Sequence, residues 1–171
     1  HNFALSASGF SVGNIKMCDI ISTYNIPTPE IITVAYGTND YGLATTSVPF
    51  GNLNDAPGEE SFVAYVKKTF DLLTEKFSCV PVFVILPQQR YDMQNENILG
   101  KTLYNYADAI SHIATMYGYP VLDCTRHGGV NPKDSRFEQK YTQDGLHFTE
   151  EFHQKYYAPL VKTFLERNAI N

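Results

Sequence analysis

Apolar positions along the chain follow two rhythms. Ile31-Ile32-Thr33-Val34-Ala35-Tyr36 and Val80-Pro81-Val82-Phe83-Val84-Ile85-Leu86 are unbroken, β-branched-rich runs, closed by Gly37 and Pro87. Such runs predict strands buried on both faces. Pro120-Val121-Leu122-Asp123 predicts a shorter strand, and Phe3-Ala4-Leu5 another near the start. Between these runs the spacing changes to three and four residues, the signature of a helix with one apolar face. Val12, Ile15, Cys18 and Ile21 predict a helix over 11–24, and Phe62, Val66, Phe70 and Leu73 one over 59–77. Leu103, Tyr106, Ile110, Ile113 and Tyr117 predict a third over 102–117. Phe152, Tyr156, Leu160 and Phe164 predict a last one over 149–167. Thr149 suits the N-cap of that helix, and Glu150 and Glu151 suit the positive end of its dipole.

Strand and helix in regular alternation imply an α/β fold, a doubly wound and mostly parallel sheet with helices on both faces. No repeat or linker divides residues 1–171, which read as a single domain. Three connections are long, 39–58, 88–100 and 125–145. Each follows a predicted strand and so leaves the sheet at its C-terminal edge. Open α/β sheets bind ligands at that edge, and long ordered loops there are usually functional.

Composition narrows the function classes. Of the 171 residues, 43% are apolar and 18% charged, which supports a packed core and argues against disorder. The net charge is −5 and no Lys/Arg run stands out, so no nucleic-acid partner is expected. No apolar stretch reaches the roughly 18 residues of a membrane span. Cys18, Cys79 and Cys124 form no C-x-x-C pair and read as free thiols. No His/Cys/Asp/Glu spacing suggests a metal site, and no cofactor is expected.

Three segments at the predicted C-terminal edge can carry chemistry. Asp144-Gly145-Leu146-His147 places a carboxylate three residues before a histidine, with Gly145 easing the turn. A catalytic imidazole needs such a carboxylate on Nδ1, although a turn Asp beside a surface His has the same spelling. Gly37-Thr38-Asn39-Asp40 follows the clearest strand, and the Asn39 amide could donate to an oxyanion. The same letters also serve as strand-end punctuation. Ser8-Gly9 follows the first run, where the Gly9 N–H could be a second donor or simply part of a strand-to-helix turn.

In their order, Gly9, then Gly37-Thr38-Asn39-Asp40, then Asp144-Gly145-Leu146-His147, these segments resemble the SGNH (GDSL-type) hydrolase family. The resemblance runs from Gly9 to His147. It implies a flavodoxin-like three-layer α/β/α sandwich and serine-dependent ester hydrolysis. Asp144 and His147 would be two triad members, and Gly9 and Asn39 would build the oxyanion hole. Small-molecule or carbohydrate esters would be the substrates, with deacetylation one option. The family's Gly-Asp-Ser nucleophile segment does not occur in the 171 residues. The expectation is therefore an N-terminally incomplete domain whose serine lies upstream of His1, in cis or on another chain.

Two other readings stay open. Gly9-Phe10-Ser11-Val12-Gly13 matches G-x-S-x-G, which would make Ser11 the nucleophile of an α/β-hydrolase-type elbow. The missing serine could instead mean a non-catalytic glycan-binding module. Tyr41 and Phe50 could line a sugar or acyl wall, or pack in the core. His112, His127 and His153 carry no motif.

Overall fold

A computed structural model describes residues 7–168. The elements run α1 (Met17–Thr23), β1 (Ile32–Val34), α2 (Thr38–Gly42), α3 (Phe62–Lys76), β2 (Val82–Ile85), α4 (Leu103–Met116), β3 (Val121–Leu122) and α5 (Cys124–His127). A π-helical turn (Phe137–Tyr141) follows, then α6 (Glu150–Phe152), a second π-helical stretch (His153–Tyr157) and α7 (Ala158–Asn168). The Phe3-Ala4-Leu5 run lies outside the described residues.

The three strands are parallel in the order β1-β2-β3, with Ile32 opposite Val82, Val34 opposite Val84, and Val84 opposite Val121. Alternation along β2 assigns the two faces. Val82 and Val84 enter a core with Val66 and Phe70 of α3 and Tyr106 and Ile110 of α4. Phe83 points the other way and meets Phe164 of α7 edge-on, ring centroids 5.9 Å apart. Helices therefore flank the sheet on both faces, which is the α/β sandwich expected of the alternating pattern.

β1 is covered less completely. Val34 is buried, while Ile31, Thr33 and Ala35, on the face opposite the α3–α4 core, are exposed. Beside them runs an open apolar trough of about 300 Å³, lined by Ile20, Ile26, Pro27, Ile31, Ala35 and Phe77 among others.

Two helices differ from the sequence expectation. The helix expected over 11–24 begins only at Met17. The reason lies at Gly13, whose φ of +91° leaves the right-handed helical region and stops a helix from running through it, while the Phe10 and Ser11 N–H groups before it donate to the Asp40 carboxylate, 30 and 29 residues away. The helix expected over 149–167 is interrupted by its π-helical stretch. Pro159 lies just beyond that stretch. It has no N–H for the Lys155 carbonyl and its ring crowds that oxygen, and a wider turn relieves both.

Candidate active site

The Asp144–His147 segment is the tip of a tight antiparallel turn. Thr142 bridges Phe148, and the Gln143 N–H donates to the His147 carbonyl at 2.7 Å. Phe148 anchors the base of the turn in a small cluster with Phe137 and Phe152. Gly145 takes φ +81°, a left-handed conformation that suits glycine. An added Cβ there would lie 2.5 Å from the Tyr91 ring. Asp144 Oδ1 accepts from the backbone N–H of Leu146 (3.0 Å) and His147 (2.7 Å), and Oδ2 meets His147 Nδ1 at 2.7 Å. The two N–H groups and the His147 ring hold the Asp144 carboxyl down at about 2. An ionised carboxylate only accepts, so Nδ1 carries a proton, and in the neutral ring the lone pair then lies on Nε2. The side chains are 70% (His147) and 52% (Asp144) exposed.

The second assembly joins the segment around Gly9 to α2. Asp40 is 1% exposed. Its carboxylate accepts from Phe10 N (3.0 Å), Ser11 N (2.7 Å) and Ser11 Oγ (2.8 Å). Burial pushes the Asp40 carboxyl up, against the opposing pull of these donors. Gly9 is needed for the close approach, since an added Cβ would lie 2.4 Å from Asp40 Oδ2. One N–H of the Asn39 amide donates to the Ser8 carbonyl at 2.7 Å. That bond orients the amide and leaves its second N–H for a ligand. The Gly9 N–H donates to the Val12 carbonyl at 3.1 Å, so an oxyanion at Gly9 would have to share or displace that bond.

No hydrogen bond among the described residues runs directly from Gly9 or Asn39 to Asp144 or His147. The connection is made by the segment that leaves β2. Gln88 Nε2 donates to the Leu146 carbonyl at 2.7 Å, and Tyr91 N to the Gly145 carbonyl at 3.0 Å. On the other side Arg90 Nη1 reaches the Thr38 carbonyl (3.2 Å) and hydroxyl (3.3 Å).

The model of the GDSL-like lipase/acylhydrolase family matches residues 23–155. The chain belongs to that family. Its fold is similar to that of a protein from Lactobacillus plantarum, with a TM-score of 0.86 at 23% identity over 99% of this chain and 81% of the other. A possible lipase from Chitinophaga pinensis gives 0.68 at 18% identity, covering 88% and 77%. An acetylxylan esterase from Geobacillus stearothermophilus gives 0.52 at 16%, covering 90% and 64%. No curated protein matches the chain.

Ser11 is not exposed as an elbow serine would be: it is 4% exposed and its hydroxyl donates a hydrogen bond to Asp40. It stands in the irregular segment ahead of α1 rather than at a strand-to-helix corner, so the G-x-S-x-G match is a clamp. Tyr41 is buried in the core and Phe50 is half-buried against it, each packing edge-on against Tyr106. His112, His127 and His153 are exposed and lie on other elements. No group of three His, Cys, Asp or Glu among the described residues could hold a metal ion. Sequence reasoning singled out neither Asp40 as a clamp nor Gln88 and Arg90. Asp40 adjoins Asn39 in a recognised motif, but nothing local distinguishes a buried clamp from a turn residue.

Proposed function

We propose that this GDSL-like hydrolase cleaves acyl esters through a serine triad in which Asp144 and His147 are the members held by this chain. The observation that carries the reading is the 2.7 Å contact between Asp144 Oδ2 and His147 Nδ1, made by a carboxylate that two backbone N–H groups already fix. The serine attacks the ester carbonyl as His147 Nε2 takes its proton. The tetrahedral intermediate collapses, and the same proton passes to the departing alcohol. Water repeats the sequence on the acyl-enzyme and frees the acid. The free N–H of Asn39 stabilises the oxyanion, and the Gly9 N–H joins it by sharing its bond to Val12.

The serine is supplied from upstream of His1, in cis or by another chain. Three features support this: the exposed Ile31, Thr33 and Ala35 in and flanking β1, the apolar trough beside them, and the burial of Ser11. Residues 1–171 then form one domain that the upstream segment completes. An open site with an exposed His147 suits a small acyl group on a bulky alcohol. The fold likeness to an acetylxylan esterase supports deacetylation of carbohydrate as the first substrate class to try.

The test is fluorophosphonate labelling of the complete natural protein, with the labelled peptide mapped by mass spectrometry. A label on a serine upstream of His1, absent in His147→Ala, is expected. A folded protein that takes no label would overturn the reading in favour of a glycan-binding module.

A further inference from the structure

Residues 88–92 leave the C-terminal end of β2 between the two assemblies that carry the candidate chemistry, and they grip both. We propose that Gln88 and Arg90 are positioning residues, and that this segment is a two-sided brace fixing Asn39 relative to His147. The proposal rests on the esterase reading above.

On one side the brace holds α2. Arg90 is buried, and its Nη1 binds both the carbonyl and the hydroxyl of Thr38, the residue before Asn39. Its Nη2 pairs with Asp92 Oδ2 at 2.9 Å, which offsets the buried charge. The guanidinium lies 5.0 Å from the centre of the Tyr41 ring. Tyr41 in turn donates its hydroxyl to the Asp92 and Asn95 carbonyls, at 2.6 and 3.0 Å. A helix of five residues is too short to hold its own shape. Contacts on both sides of Asn39 do so here.

On the other side the brace holds the Asp144–His147 turn. Gln88 and the Tyr91 N–H take the carbonyls of Leu146 and Gly145, the two residues between the carboxylate and the imidazole. Asp144 and His147 are themselves exposed, so these backbone bonds fix the tip of the turn, beyond the Phe148 cluster at its base. One N–H of the Gln88 amide goes to Leu146, and Arg90 donates to Thr38 and Asp92. Both residues thus bond to the backbone beside Asn39 and His147, which is the basis for assigning them as positioning residues. The root of the brace is β2, buried along its whole length, and supporting contacts of this kind set whether a site is held tightly enough to work.

The experiment measures hydrolysis of p-nitrophenyl acetate by the complete natural protein. Gln88→Met keeps length and removes the donor. Arg90→Lys keeps charge and loses the fork. Each variant is expected to lower kcat about 10- to 100-fold, the scale of a 1 Å misplacement, with KM within about twofold. Both changes loosen one shared brace, so the double variant should fall by less than the product of the two single losses. Gln88→Glu, equal in size but unable to donate when ionised, should match Gln88→Met and guards against a folding defect in the latter. Losses that multiply in the double variant, or a single variant with wild-type kcat while His147→Ala is inactive, would overturn the brace alone. Turnover that is absent in the wild type or survives His147→Ala would overturn the esterase reading and the brace with it.

Discussion

Asp144 holds His147 twice, through the backbone N–H with one carboxylate oxygen and through ring Nδ1 with the other, both at 2.7 Å. The same carboxylate thus shapes the turn and sets the tautomer of the base. Asp144→Asn should separate these roles. The amide can still cap the turn with its oxygen, but its NH₂ faces Nδ1 and favours the wrong tautomer. We expect kcat to fall on the order of 10³- to 10⁴-fold while circular dichroism stays unchanged. Wild-type kcat in this variant would remove Asp144 from the triad.

The depressed Asp144 carboxyl also fixes a pH window. Its folded value of about 2 lies below the ordinary 3.8, so the folded state binds protons less readily than the unfolded one. Its contribution is present above about 3.8 and is lost as pH falls through about 2. The acid limb of kcat/KM therefore belongs to another group. A limb that disappears in Asp144→Asn, with the base otherwise functional, would contradict this.

Asn39→Ala removes an oxyanion donor and the bond to the Ser8 carbonyl. Loss of one such donor typically costs 10²- to 10³-fold in kcat. The lost structural bond should cost about 1 kcal/mol of stability. Urea melts and steady-state kinetics on one preparation measure the two effects separately. An unchanged kcat would leave Asn39 with only its structural role.

Asp40→Asn tests the clamp. One amide oxygen cannot replace two carboxylate oxygens, and the NH₂ would face a backbone N–H that already donates there. A loss of about 1–3 kcal/mol in chemical denaturation is expected. Burial raises the Asp40 carboxyl in the folded state, so its favourable contribution is full below the unfolded value. It declines as pH rises through the folded one. The variant should lose that part of the stability–pH curve, and an unaltered curve would show that Asp40 does not titrate as described.

Gly145→Ala strains a residue at φ +81° and pushes a methyl into the Tyr91 ring. A cost of about 1–2 kcal/mol for the left-handed conformation alone is expected, with Tyr91 displaced. Reduced kcat with unchanged far-UV dichroism would fit a local distortion of the turn. Wild-type kcat and melting temperature would show that the turn tolerates the methyl.

The central strand and the long helices were legible in the sequence because each is written locally. Val82-Phe83-Val84-Ile85 is continuously apolar, and the stripes of α3 and α4 repeat at helical spacing. The Asp144–His147 pair was legible for the same reason: three residues and one glycine bring the partners together. The start of α1 at Met17 was not, because the segment before it turns left-handed at Gly13 and is shaped by a carboxylate about 30 residues away. Nor was the brace, whose Gln88–Leu146 and Arg90–Thr38 bonds span 58 and 52 residues. The sequence by itself determined the elements with a repeating apolar pattern and the partners within one turn of chain. Only the tertiary structure decided which buried polar groups satisfy one another, because desolvation makes each of them take whatever partner packing brings near, and no periodicity records that choice.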